Sequence, residues 1–354
     1  MDANEVRERL RAVEDPALGG DIVSLGLVND VAVEGDVAHV SLALGAPYSP
    51  AETALAGEVR SVLADAGLEA DLTADVERPE PAGDSLLPGV ENVIVVASGK
   101  GGVGKSTVAV NLAAGLADRG ARVGLFDADI YGPNVPRMVA ATDGPKATSE
   151  GHIIPPERFG VALMSMAFLV GPDDPVIWRG PMVHKVLTQL VEEVEWGPLD
   201  YLVVDLPPGT GDTQLTVLQT LPITGAVVVT TPQGVAVDDA RKALEMFKRH
   251  ETTVLGIVEN MSTFVCPDCG HEHDIFGRGG GEAFADEVEL PFLGRLPLDP
   301  RIRSGSDEGS PVVLEDDDQP AGAAFRELTG AVADNVGVVA RKRHSVAAST
   351  AETP

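Results

Sequence analysis

The strongest constraint on this chain is residues 93–107, "VIVVASGKGGVGKST": an apolar run, a glycine-rich loop, then Ser-Thr opening a new segment. Gly99 to Ser106 satisfies G-x-x-x-x-G-K-[ST] at every fixed position, after a strand pattern and before a helical one. Glycines let the backbone curl until its N–H groups face a phosphate, and the helix N-terminus adds positive potential. Further apolar runs follow at 122–127, 201–206, 225–231 and 254–260, separated by helical spacing over 106–119, 181–195 and 237–250. Strands buried on both faces and alternating with helices predict an α/β fold. The expected architecture is a mostly parallel sheet with helices on both faces, of the P-loop NTPase type.

Upstream the pattern differs. Residues 2–13 have helical spacing, 27–44 read as two strands around a turn at 34–36, 51–66 are helical, and 68–76 suit a third strand. This predicts a small α+β domain over 1–78. A proline- and glycine-rich linker follows over 79–91. The ATPase domain is expected over 92–343, its last helix near 321–341, and a polar tail over 344–354.

The 55 acidic residues outnumber the 26 basic ones, giving a net charge of −29. Only concentrated salt screens such self-repulsion over a few ångströms, so the composition reads as halophilic. It argues against nucleic acid as a partner, since that contact is driven by cationic patches. No apolar run reaches the ~18 residues of a membrane span. The charged N-terminus has no apolar core of a secretory signal, so a cytoplasmic chain with no membrane association is expected.

In the loop, Lys105 is expected on the β- and γ-phosphates and the Ser106 hydroxyl on Mg²⁺. The nucleotide-binding set runs from Gly99 and Lys100 through Gly101, Gly102, Val103 and Gly104 to Lys105, Ser106 and Thr107. Asp127 and Asp129 end one buried strand and Asp205 ends another, where ligands bind in such sheets. Asp205 is the natural Mg²⁺ partner. Asp127 and Asp129 are candidates for the metal's surroundings and for orienting an attacking water.

The stretch "GKGGVGKST" resembles the phosphate loop of the MinD/ParA/Mrp branch of P-loop ATPases. That resemblance implies that the extra lysine, Lys100, reaches across a homodimer to the partner's nucleotide, as an arginine finger does. It also implies that Asp129 positions the hydrolytic water and that Asp205 belongs to a nucleotide-sensing loop. Asn260 matches the asparagine that contacts adenine in the branch, and Pro297 lies where a backbone contact to the base is expected. No N-K-x-D guanine motif follows the later strands, so ATP is the expected nucleotide.

Cys266 and Cys269 form a C-x-x-C turn, the only cysteines in the chain. Thiolates suit zinc or iron–sulfur clusters. They could join His271 and His273 in a mononuclear zinc site, or pair with the same two cysteines of a second chain around a [4Fe–4S] cluster. A redox pair would lack its usual thioredoxin-like setting.

The segment "ENMSTFVCPDCGHEHDIFGRGGGE", with "DADIYGPNVPRM", "WRGPMV" and "LPPGTGDTQL", closely resembles the Mrp/ApbC group of iron–sulfur cluster carrier ATPases across 92–335. The resemblance implies a cluster bridging two chains on Cys266 and Cys269, delivered to recipient apo iron–sulfur proteins, with the histidines outside the ligand set. Residues 14–31 resemble the small cluster-assembly domain fused ahead of such ATPases. That domain commonly carries a cysteine where this chain reads "LGAPYSP", so a docking or regulatory role is expected of it. The alternative is a MinD/ParA-like positioning ATPase with a structural zinc site. It would leave a carrier's cysteines unexplained, and its membrane form should end in a basic amphipathic helix.

Overall fold

The computed structural model describes residues 1–76, 86–130, 132–169, 180–266, 269, 271–315 and 319–351. The chain divides into two compact units, residues 1–80 with 333–354, and residues 81–332.

In the small unit, α1 (Ala3–Leu10) starts at a capping box. Asp2 accepts the Glu5 N–H, and the Glu5 carboxylate accepts the Asp2 N–H, both at 2.9 Å. Strands β1 (Val28–Glu34) and β2 (Val37–Leu42) form the expected hairpin. After α2 (Pro50–Asp65), strand β3 (Glu69–Ala74) runs parallel to β2. Val6, Leu10, Val40, Val59 and Leu63 fill the core beneath this three-stranded sheet.

The large unit is built on eight strands. β4 (Val90–Ala97) leads through the glycine loop into α3 (Lys105–Asp118), then β5 (Val123–Asp127) and β6 (Val161–Ser165). α4 (Gly180–Glu192), β7 (Leu199–Asp205), α5 (Asp212–Thr220), β8 (Gly225–Thr230) and α6 (Gly234–Arg249) follow, then β9 (Val254–Glu259), α7 (Gly280–Glu287) and β10 (Phe292–Arg295). The sheet order is β6-β5-β7-β4-β8-β9-β10, all parallel, with a two-residue antiparallel strand at Glu157–Arg158 beyond β6. Every residue of β5, β7 and β8 is buried, which is why their sequences are continuous apolar runs rather than alternating ones. The α/β fold with a mostly parallel sheet is as the sequence predicts. β6 and β10 were not foreseen. The predicted linker lies largely outside the described residues, and by Val90 the chain is already strand. Trp178 and Arg179 of "WRGPMV", and Tyr131 of "DADIYGPNVPRM", are likewise outside them.

The C-terminus corrects the expected tail. Helix α8 runs from Pro320 to Ala351, and from Ala333 onward it belongs to the small unit. Its alanine-rich composition favours helix, and its polar residues have specific partners. Buried Arg341 donates from Nε to Asp15 (2.6 Å) and from Nη1 to Glu52 (2.5 Å). Glu52 also accepts the N–H groups of Gly45 and Ala46. Asp334 accepts the Ser49 hydroxyl at 2.6 Å and the Ala51 N–H at 2.9 Å. The "LGAPYSP" loop is thus held by the terminal helix.

Burial pushes the Glu52 carboxyl above its ordinary value, against the pull of the two N–H groups and Arg341. As pH rises the unfolded chain releases this proton first, so Glu52's contribution is full below its unfolded value and is lost as pH climbs through the raised folded one. Arg341→Met should strand two buried carboxylates and lower the unfolding free energy by about 3–5 kcal/mol, read by urea denaturation. In the same assay Glu52→Gln should flatten the decline in stability from pH 4.5 upward. A wild-type slope in that variant would contradict the assignment.

Candidate nucleotide site and cysteine hairpin

The glycine loop sits at the C-terminal edge of the central strand β4, and its shape depends on what cannot be there. A Cβ on Gly99 would meet the backbone of Asp239 in α6 at 2.0 Å. Gly104 caps α3 in the left-handed region (φ 86°), and a Cβ there would lie 2.1 Å from Asn260 Nδ2. The loop is therefore clasped from the α6 side and the β9 side at once.

Lys105 is buried and donates to Asp205 Oδ1 at 2.6 Å, with Ser106 Oγ 3.3 Å from the same ammonium. Asp205 Oδ2 is buried without a hydrogen-bond partner. In the sheet register Asp205 stands beside Asp127, and Asp127 beside Ser165. Asp127 accepts the Ser165 hydroxyl at 2.9 Å and the N–H groups of Val135 and Asp129 at 3.2 Å. Burial pushes Asp127 up to about 7, and the neighbouring Asp205 charge adds to the effect. Asp205 is also raised by burial, against the pull of Lys105. Two crowded carboxyls, one orphaned oxygen and a serine hydroxyl make a hard oxygen donor set that fits Mg²⁺. Asp129 is mostly buried and accepts the Gly132 N–H at 3.2 Å.

The half-buried Lys100 side chain has no hydrogen bond or ion pair to another described residue, whereas Lys105 is committed inward. Beyond Asp205, Leu206 donates to Val96 O and Gly209 to Ser98 O, laying the proline-glycine loop alongside the phosphate loop. Buried Gln214, on α5, donates to the Pro207 carbonyl, and its own amide oxygen is unpartnered. Asn260 donates to Val103 O at 2.8 Å, so the amide matched to adenine recognition braces the phosphate loop here. Pro297 lies in a segment whose neighbours Leu296 and Leu298 pair with Glu259, Ser262 and Thr263.

The cysteines sit some distance along from that strand end. Phe264–Val265 and Glu272–His273 form a short antiparallel hairpin with Cys266 and Cys269 at its tip. Cys266 is half-buried and Cys269 exposed. The Cys266 N–H donates to His271 O at 2.9 Å, and His271 Nδ1 lies 3.4 Å from Cys269 Sγ. His273 stands opposite Phe264 in the hairpin ladder, their rings tilted with centroids 6.5 Å apart. Among the described residues, no group of three or more His, Cys, Asp or Glu side chains converges to hold a metal. Ser165, Gln214 and Glu259 were missed at the sequence level. Glu259 had a signal, a charged residue closing an otherwise apolar strand.

The phosphate loop, the acids at the ends of β5 and β7, and the cysteine hairpin beyond β9 thus lie within one unit of the chain. A family model described as NUBPL iron-transfer P-loop NTPase matches residues 89–333. The chain belongs to this family. A second model, iron–sulfur cluster assembly protein, matches residues 3–76. The iron–sulfur cluster carrier protein of Synechocystis sp. is 44% identical over 340 residues, 93% of this chain and 96% of its own length. Among solved structures, a nucleotide-binding protein from Archaeoglobus fulgidus in complex with ADP superposes with a TM-score of 0.56 at 38% identity. It covers 63% of this chain and 88% of that one. The cell division ATPase MinD of Pyrococcus furiosus gives a TM-score of 0.52 at 25% identity, over 69% of this chain and 98% of that one.

Gly104→Ala should drive a methyl into Asn260 and weaken nucleotide binding by about tenfold or more, with the circular dichroism of the fold unchanged. Titration with a fluorescent ATP analogue checks this, and wild-type affinity would show that the loop has room the geometry denies.

Proposed function

We propose that this chain is an ATP-dependent carrier of iron–sulfur clusters, working as a homodimer in the cytoplasm and delivering its cargo to apo iron–sulfur proteins. The observation that carries the reading is that one sheet bears both chemistries: a phosphate loop with its acids, and a two-thiol hairpin that is an incomplete ligand set among the described residues. The carrier names of relatives that match along nearly the whole chain support it. No helix among the described residues is long and apolar enough to cross a membrane.

ATP is the substrate of the loop. Its phosphates compete with Asp205 for the Lys105 ammonium, and as Lys105 turns to them Asp205 is released. Asp205, Ser106 and Asp127 would hold Mg²⁺. The ion, when bound, neutralises charge developing on the β- and γ-phosphates. Asp129 orients a water that adds to the γ-phosphorus while the bond to the bridging oxygen breaks, yielding ADP and phosphate. Lys100, uncommitted within its own chain, reaches the partner subunit's nucleotide. Four thiolates, two from each protomer, hold a [4Fe–4S] cluster as cargo, and the exposed position of Cys269 leaves it open to a recipient. The acid-rich composition keeps such a dimer soluble in concentrated salt.

Lys100→Ala should lower the ATP hydrolysis rate by about a thousandfold while leaving ATP affinity nearly unchanged. Unimpaired hydrolysis in this variant would remove the cross-subunit role. Cys269→Ser should abolish transfer of cluster to an apo-ferredoxin and leave ATP hydrolysis intact; persistent transfer would point to another ligand set.

A further inference from the structure

We infer that Glu259 is the positioning residue that ties the cysteine hairpin to the nucleotide loop, an inference that rests on the carrier reading above. Glu259 is the last residue of β9 and is wholly buried. One oxygen accepts the Ser262 hydroxyl at 2.6 Å and the Gly279 N–H at 3.0 Å, and the other accepts the Gly281 N–H at 2.6 Å. Arg295 lies 3.7 Å away and also pairs with Glu282. Ser262 precedes the cysteine hairpin, and Gly279 and Gly281 follow it. A single carboxylate therefore closes residues 262–279, both cysteines included, into a loop pinned at its two ends.

The adjacent residue points to the other site. Asn260 grips Val103 O, and its amide fills the space that Gly104 leaves open. One peptide bond thus separates the side chain holding the phosphate loop from the side chain holding the hairpin. Backbone pairing reinforces that joint. Asn260 N–H donates to Thr230 O, Leu296 N–H to Glu259 O, and Ser262 N–H to Leu296 O. When the phosphate loop adjusts to a nucleotide, Asn260 moves with it. The carboxylate then carries that displacement to both ends of the cysteine loop.

The charge state of the acceptor matters. Every partner of Glu259 is a donor, so an ionised carboxylate satisfies them all. A glutamine would turn its NH₂ toward one of these donors, releasing one end of the loop at nearly constant volume. A merely structural carboxylate would lose stability on that change but would leave communication between the sites intact.

The test uses the full-length chain, whose two cysteines are its only thiols, so a disulfide reagent such as 5,5′-dithiobis(2-nitrobenzoate) reports on the hairpin alone. Reaction rates are measured with saturating ADP and with a non-hydrolysable ATP analogue plus Mg²⁺. Wild-type rates should differ by about fivefold or more between the two. In Glu259→Gln the ratio should collapse to about twofold or less, with analogue affinity essentially retained. Ser262→Ala removes one donor with little risk to folding, and should reduce the ratio as well. A wild-type ratio in both variants would overturn the inference. So would equal rates in the wild type, an outcome that leaves the carrier reading standing on its own cluster chemistry.

Discussion

The ion pair between Lys105 and Asp205 is the interaction on which the architecture of the large unit depends. A charge at the end of a fully buried strand is tolerable only with a partner of opposite sign and good geometry. The sheet supplies both by placing β7 beside β4, so that the lysine opening α3 lands on the aspartate closing β7. The same register sets Asp127 against Asp205; burial raises both carboxyls, with the Asp205 charge adding to the rise at Asp127 and the Asp129 charge to that at Asp205. Such a cluster is stabilised by whatever brings positive charge to the carboxyls, as the cation proposed above would, while the phosphate oxygens of a nucleotide would give Lys105 another partner. Binding and chemistry thus draw on tension already present in the fold.

The same logic recurs elsewhere. In the small unit Arg341 answers two buried acids, and together with Asp334 it fastens α8 to the "LGAPYSP" loop. At the end of β9, Glu259 is satisfied by hydroxyl and backbone donors with an arginine nearby. Each buried charge joins segments far apart in sequence. Each sits where the chain must be held in one arrangement rather than merely covered.

Much of this was legible in the sequence. Apolar runs long enough to be strands, interrupted by helical spacing, disclose a parallel sheet because burial on both faces removes the alternation that exposed strands show. The loop and the aspartates at strand ends follow from chemistry that tolerates few substitutes. What stayed hidden depended on partners remote in sequence. Residues 344–351 read as a polar tail where the helix continues to Ala351, Arg341 gives no hint in the sequence of its partners Asp15 and Glu52, and Ser165 looks ordinary until β6 is placed beside β5. Asn260 was matched to base recognition, and its grip on Val103 O is visible only in three dimensions. Strand β10 escaped notice because four residues, one of them a glycine and one an arginine, carry too weak a pattern.

The central claim is that two protomers share one cluster through Cys266 and Cys269. Anaerobic reconstitution in concentrated salt, with iron, sulfide and zinc counted against protein and the mass of the species measured, tests it most directly. The account predicts about four irons and four sulfides per pair of chains, on a dimer that loses them in Cys266→Ser. One tightly held zinc per single chain, with no cluster retained, would contradict it and leave an ATPase with a structural metal site.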